Sequence, residues 1–163
     1  MSVERFCVRA AEAADLAEVV GMERAIAEAP HWAEAEYAAI VNASADGDGK
    51  VTRCLLVAET EGRLLGFAVG KAIGLDGVAE LESVAVAVAE RRGGVGRALC
   101  EAVVAWSRTR AARAMELEVR VGSGGAIELY AGLGFVAVGR RRGYYREPVE
   151  DAVMMRLELE GNL

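Results

Sequence analysis

The stretch Leu81-Glu-Ser-Val-Ala-Val-Ala-Val-Ala-Glu-Arg-Arg-Gly-Gly-Val-Gly-Arg-Ala-Leu99 decides how the rest of the chain is read. An apolar, β-branched run gives way to a basic, glycine-rich turn, and that turn opens a helix. Such a turn aims several backbone N–H groups at one point, at the positive end of a helix dipole. Glycine removes the Cβ that would hold a ligand away from the main chain. Arg91, Arg92 and Arg97 add positive charge around Gly93, Gly94, Val95 and Gly96. The occupant this pattern implies is a phosphate or pyrophosphate held mainly by backbone.

Three glycine-loop patterns compete for it. A Walker-type loop closes on Gly-Lys-Ser/Thr, whereas this one closes on Gly96-Arg97-Ala98, which offers no hydroxyl to magnesium. A dinucleotide fingerprint needs G-x-G-x-x-G and an acid about 20 residues further on. Gly94 and Gly96 supply two of its glycines, Leu99 occupies the third place, and Glu116 or Glu118 stands near the acid's position, so this reading is weakened but open. The third pattern is Arg/Gln-x-x-Gly-x-Gly/Ala, the pyrophosphate loop of acyl-coenzyme A dependent N-acetyltransferases. Arg91-Arg92-Gly93-Gly94-Val95-Gly96 fits it at every fixed position.

The flanks discriminate. Leu117-Glu118-Val119-Arg120 is followed by Ser123-Gly-Gly-Ala-Ile-Glu-Leu-Tyr130, Leu133-Gly134-Phe135, Arg142-Gly-Tyr144-Tyr145 and Glu150-Asp151-Ala-Val-Met-Met155. In this order and spacing the chain resembles the GCN5-related N-acetyltransferase superfamily, and within it the ribosomal-protein-alanine N-acetyltransferases (RimI type). The resemblance is dense from Leu81 to Leu157 and thin before Leu55, where Pro30-His31-Trp32 and Tyr37 correspond only loosely.

Length and composition set the frame. A chain of 163 residues that is 53% hydrophobic, with two prolines, suits one domain with one sizeable core, over residues 1–163. No run of 18 apolar residues and no basic, then apolar, leader is present, so no membrane span is expected and a cytoplasmic setting is the default. A net charge of −6 argues against general nucleic-acid binding and is compatible with a cationic substrate, although solubility alone explains it. Cys7, Cys54, Cys100 and the single His31 are too few and too dispersed for a zinc site, so no metal is expected and the thiols read as reduced.

Periodicity predicts a layered α/β chain. Arg5–Arg9 alternates as a first strand, Asp15-Leu16-Ala17-Glu18 has the form of a capping box, and a helix follows through Ile26. A second helix begins just after Pro30, and Asp46–Gly49 is a loop. Strands over Cys54–Thr60 and Leu64–Ala72 flank Glu61-Gly62 as a hairpin, with Gly66 and Gly70 marking a bulge or a close backbone approach. Val78–Val88 is the strand before the loop, and Val95, Leu99, Val103 and Trp106 form one buried helical stripe. Met115–Arg120 is a strand, Ala126–Leu133 a short helix, and Phe135–Tyr145 and Val153–Leu159 the last two strands. The order β-α-α-β-β-β-α-β-α-β-β gives a mixed sheet with helices on both faces, and the strands joined by the loop helix are parallel.

The resemblance implies more than the pattern does. It implies an acyl-CoA N-acyltransferase fold whose two parallel strands splay apart, with the pantetheine arm of acetyl-CoA bonded to the backbone of Val84, Ala85 and Val86. Arg91 to Arg97 would hold the pyrophosphate. Ser123 stands where the family usually carries a cofactor-contacting asparagine, and its shorter reach leaves direct contact open. Gly124, Gly125 and Gly143 are further departures.

Acetyl transfer to an amine requires a proton acceptor, a polarised carbonyl and a proton for the leaving thiolate. From the residues alone, Glu118 faces either a cleft or solvent beside Glu116 and Arg120, and Tyr130 packs beside Ala126, Leu129 and Leu133. The resemblance assigns Glu118 as base and Tyr130 as acid. It implies a protein N-terminus as acceptor, that of a ribosomal protein beginning with alanine; a lysine, a polyamine or another small amine is the alternative. A non-catalytic acyl-CoA-binding module is the alternative of a different class. Arg140-Arg141-Arg142 reads as a solvated edge strand, with a grip on a phosphate or an acidic partner as the alternative, and Glu34 and Glu36 as an exposed helix face or a seat for a basic peptide; the resemblance implies that Tyr144 and Tyr145 wall a peptide groove, with one of them packed in the core.

Overall fold

A computed structural model describes residues 6–25, 32–43, 50–74 and 77–159. In chain order the elements are β1 (Cys7–Ala10), α1 (Leu16–Ala25), α2 (Glu34–Asn42), β2 (Val51–Thr60), β3 (Arg63–Ile73), β4 (Val78–Val86), α3 (Val95–Thr109), β5 (Ala114–Arg120), α4 (Gly124–Gly132), β6 (Val136–Arg146) and β7 (Val149–Glu158). The seven strands form one sheet in the order β1-β2-β3-β4-β5-β7-β6, and only β4 and β5 run parallel. This is the expected order of elements. Several boundaries move. β2 starts at Val51, β7 starts at Val149, and the run expected to stay extended to Val88 leaves the sheet after Val86, with Val88–Glu90 forming a short 3-10 turn. Ile26, Pro30, His31 and the Asp46–Gly49 loop lie outside the described residues.

The expected capping box does not form. Asp15 is the last residue of a 3-10 turn, and its carboxylate accepts the Glu12 N–H (2.7 Å) and pairs with Arg9 (2.8 Å). Glu18 accepts the Leu64 N–H (3.3 Å) instead of turning back on its own helix. The box closes three residues earlier, with Glu12 as N-cap and Asp15 as the acid that reaches back to it. At the other end, α2 carries a reciprocal bond of its own: the Glu36 carboxylate accepts the Ala33 N–H at 3.3 Å.

Two apolar layers sandwich the sheet. On one face, Val95, Leu99, Val103 and Val104 of α3 pack on Leu65, Ala68, Leu81, Met115 and Leu117, with α4 at the margin. Of the expected stripe, Val95, Leu99 and Val103 are buried and Trp106 is only partly so. On the other face, Leu16, Val19 and Val20 of α1 and Tyr37 of α2 cover Leu55, Val57, Phe67 and Val69. Each fully buried leucine or valine contributes about 1.5–3 kcal/mol. Gly66 and Gly70 mark close approaches: a Cβ on Gly66 would stand 2.6 Å from the Ala85 carbonyl oxygen, and one on Gly70 2.6 Å from Val103.

Two irregularities place the site. The parallel pairing of β4 with β5 covers Val78↔Ala114, Ala79↔Met115 and Glu80↔Glu116 and stops there. Beyond those pairs β4 follows β3 as far as Val86 and β5 follows β7 as far as Arg120, so the two strands part. Glu82 is bulged out of the β3–β4 ladder, between Val69↔Ser83 and Gly70↔Leu81. A bulge exchanges the faces of everything after it. Ala79 and Leu81 lie on the α3 side; past the bulge Val84 and Val86 take that side and Ala85 turns to the α1 side.

Candidate active site

The gap between β4 and β5 leaves one edge of β4 without a strand partner. Within a strand, the N–H and C=O of one residue point to the same neighbour, and successive residues alternate. The Ala87 N–H donates to the Leu65 carbonyl (2.9 Å), and the Ala85 carbonyl is directed at Gly66 of β3. The peptide groups of Val84 and Val86 therefore face the gap, and Arg91 Nε reaches the Val86 carbonyl at 3.5 Å. Ala85, grouped with them from the sequence, turns its carbonyl to β3 and its methyl into the opposite core layer.

The loop follows directly. Arg91, Arg92, Gly93 and Gly94 are exposed, and Gly94 is the N-cap of α3 with φ +86. That left-handed conformation costs an L-residue roughly 1–2 kcal/mol and glycine almost nothing. Among the described residues no side chain caps this helix and no acid stands in its first turn. The Gly94 carbonyl accepts the first intrahelical bond, from the Ala98 N–H at 3.0 Å. The N–H groups of Val95, Gly96 and Arg97 precede that bond and are free for a ligand. Val95 buries its side chain, so only its main chain can serve a ligand. Gly96 sits where α3, α4 and β4 meet, since a Cβ there would lie 3.4 Å from Leu129 and 3.5 Å from Val86. Arg97 is turned along the helix onto Glu101 (2.8 Å) and not onto the loop. A donor cluster beside an unpaired strand edge fits an anion carrying an extended amide arm.

A cleft of about 1260 Å³ opens from the splay, and Val84, Glu118, Ser123 and Tyr130 all line it. Glu118 reaches it because Leu117 and Val119 are held in the α3-side core, which turns the residue between them outward. Its side chain is 27% exposed, and the carboxylate pairs with Arg141 Nε at 3.2 Å. The Tyr144 phenol faces the same carboxylate, whose proximity holds it above its usual range. Tyr145 stands edge-on to Tyr144 (5.1 Å) and lies under the Arg120 guanidinium at 4.2 Å. Both tyrosines line the cleft, as does Trp32.

Tyr130 enters from α4, its ring packed edge-on against Phe135 with centroids 6.0 Å apart. Burial, then the neighbouring Cys100 and Tyr145, push its phenol above the usual value of 10. It therefore stays protonated, as a donor. Ser123 is the N-cap of α4, yet its side chain makes no capping bond. Ser83 Oγ, on the bulged stretch of β4, is buried with no hydrogen-bond partner among the described residues.

Sequence reasoning passed over Arg141. It reads as one of three charges on an edge strand, and β6 is indeed the edge. Arg140 pairs with Asp151 at the surface (2.9 Å), but Arg141 lies on the candidate base. Among the described residues no cluster of His, Cys, Asp and Glu could hold a metal ion. Cys7, Cys54 and Cys100 are free thiols, and burial pushes Cys54 and Cys100 up to about 12, far from reactive thiolates. Among the described residues no helix is long and apolar enough to cross a membrane.

The splayed sheet, the uncapped loop helix and the cleft between them are accompanied by a family match. The sequence profile of the Acetyltransferase (GNAT) family matches residues 16–135, and the chain belongs to that family. It is 37% identical over 100 residues to the [Ribosomal protein bS18]-alanine N-acetyltransferase of Escherichia coli, a match covering 60% of this chain and 66% of that protein. The crystal structure of the ribosomal-protein-S18-alanine N-acetyltransferase from Escherichia coli superposes with a TM-score of 0.78 at 29% identity, covering 98% of this chain and 99% of that one. Arabidopsis thaliana NAA60 in complex with acetyl-CoA shares the fold at 21% identity (TM-score 0.79, covering 96% and 100% of the two chains).

Proposed function

We propose that this chain, as a single N-acetyltransferase domain over residues 1–163, transfers acetyl from acetyl-CoA directly to an amine, the N-terminal α-amino group of a protein in the cytoplasm. The observation that carries the reading is the convergence of Glu118 and Tyr130 on the cleft that starts where β4 and β5 part. Acetyl-CoA, when bound, supplies an activated acyl thioester. The first-turn N–H groups of α3, with Arg91 and Arg92 beside them, bind its diphosphate; the peptide edges of Val84 and Val86 bond its arm; Ser123 lies within the same cleft. Glu118 takes a proton from the entering amine, and the Tyr130 hydroxyl gives one to the departing sulfur.

Charge matching supports an N-terminus as the acceptor. A free α-amino group has a pKa of about 8, against about 10.4 for lysine. A carboxylate base generates the neutral α-amine far more readily than the neutral lysine amine. The likeness to enzymes named for the alanine terminus of ribosomal protein bS18 makes an alanine-starting ribosomal peptide the first substrate to test.

Mass spectrometry of a peptide library incubated with the protein and acetyl-CoA is the decisive measurement. Acetylation of alanine-starting peptides, and not of N-blocked peptides containing lysine, is expected. The reverse preference would move the acceptor to a lysine or another small amine. Coenzyme A binding with no acetylated product across the library would leave a non-catalytic binding module.

A further inference from the structure

The β6–β7 ladder is interrupted beside the candidate base. Arg141 pairs with Ala152 and Tyr145 with Glu150, so the single residue Asp151 faces Arg142, Gly143 and Tyr144 on β6. A ladder cannot bond three residues to one, and a side chain takes over. The Asp151 carboxylate accepts the Gly143 N–H at 2.8 Å through one oxygen and pairs with Arg140 Nε at 2.9 Å through the other. Gly143 adopts φ +59, the left-handed conformation that lets the chain double back within the bulge. Arg141 and Tyr144 flank the bulge and both line the cleft beside Glu118, the guanidinium pairing with the carboxylate at 3.2 Å. The guanidinium is also 5.7 Å from the centre of the Tyr144 ring, so the two form one unit.

The neighbouring acid serves a different turn. Glu150 accepts the Gly122 N–H (2.7 Å) and pairs with Arg120 (3.2 Å), ahead of the helix that carries Tyr130. The Asp151 main chain reaches that turn, its carbonyl accepting the Val121 N–H at 3.0 Å, but its side chain does not line the cleft. The bonds of the carboxylate itself go to Gly143 within the bulge and to Arg140 beside it.

We infer that Asp151 is a positioning residue of the transfer site: its carboxylate shapes the β6 bulge so that Arg141 and Tyr144 orient Glu118 toward the entering amine. Because Arg141 sits on an exposed edge strand, nothing in the sheet ladder alone would hold it over the cleft. The bulge does so, and Asp151 sets the bulge. This inference rests on the assignment of Glu118 as base.

The test is a double-mutant cycle on the full chain, with kcat, the KM for acetyl-CoA and Tm measured for each variant. Asp151→Ala is expected to lower kcat by about 10-fold or more, the scale on which a misplaced catalytic group loses rate. The KM for acetyl-CoA should stay within about twofold, because the cofactor side does not depend on the bulge. Arg141→Ala should lower kcat comparably, and the double variant should fall no further than the worse single one, since coupled residues do not add. Asp151→Asn keeps an acceptor for the Gly143 N–H and should recover most of the lost rate.

Additive losses, an unchanged kcat in Asp151→Ala, or a parallel rise in the KM for acetyl-CoA would overturn the inference. A second readout needs no turnover: the Arg141 Nε–H resonance, shifted by the ion pair with Glu118, should disappear in Asp151→Ala and persist in Asp151→Asn. Its persistence in both variants would overturn the inference as well. A wild-type protein that acetylates no amine would instead defeat the proposed function, and the resonance would still decide the role of Asp151.

Discussion

The two sides of the splay are built by different means. On the β4–α3 side the candidate ligand contacts are peptide groups: the first-turn N–H groups of α3 and the free edges of Val84 and Val86. Their placement follows from one left-handed glycine and one bulge. On the β5–β7–β6 side the contacts are side chains, Glu118, Arg141, Tyr144 and Tyr145, held by a charge pair and a cation–π contact between β5 and β6 and by an edge-on ring pair within β6. A backbone site tolerates substitution wherever the fold survives. A side-chain site can be disarmed one atom at a time with the fold intact.

The largest effect separating the two sides is expected from Tyr130→Phe. The ring keeps its place on Phe135 and loses only the hydroxyl. Turnover should drop within the ~10²–10⁴-fold range of a lost general acid or base, with an unchanged melting curve. Steady-state acetylation of an alanine-starting peptide checks this, and a loss under twofold would remove the phenol from the reaction.

Gly94→Ala probes the other side. Forcing alanine to φ +86 costs roughly 1–2 kcal/mol and should weaken coenzyme A binding by about 10-fold in calorimetry, while kcat at saturation holds. A larger effect on kcat than on binding would erase the proposed division of labour. Arg97→Ala should matter far less. Its guanidinium is 55% exposed and engaged with Glu101, and exposed pairs of this kind are worth about 0–1 kcal/mol, so coenzyme A affinity should move by about twofold at most.

The smallest expected signal is a titration. The Gly143 N–H bond, then the Arg140 pair, hold the Asp151 carboxyl below its usual range. A depressed folded-state value means that this contribution is complete above the ordinary carboxylate pKa and is lost as the pH falls through the lower, folded value. The Gly143 amide shift should follow that step, with a midpoint below the ordinary 3.8. A midpoint at or above 3.8 would mean that the carboxylate does not hold the bulge.

The same division explains what could be read from residues alone. The β4–loop–α3 unit is local: its alternation, glycines and helical stripe fall within 30 residues, and each is dictated by its neighbours in sequence. The outward turn of Glu118 is legible for the same reason, as the polar member between Leu117 and Val119, but alternation leaves that face as either cleft or solvent, and only the resemblance singles the residue out. The end of β4 is not legible, because the run stays apolar through Val88 although the chain leaves the sheet after Val86.

Arg141 was hidden by register. Three arginines in a row look alike until the mismatch at Asp151 decides which one crosses to β5, and that mismatch depends on pairing between distant strands. Asp15 misled for a different reason. Its spacing to Glu18 suggests a local cap, while Arg9 and the turn before the helix take the carboxylate instead. At Arg141 a long-range pairing decides; at Asp15 one local bond, to the Glu12 N–H, replaces another.

Seven residue pairs join β4 to β3 and seven join β5 to β7, but only three join β4 to β5. The middle of the sheet is therefore its loosest seam, stitched at one end and open at the other. A guest lying along Val84 and Val86 would add stitches that the polypeptide itself leaves out. Resistance to heat or protease should then climb with the guest's concentration, so the durability of this chain would depend on how well its surroundings supply that guest.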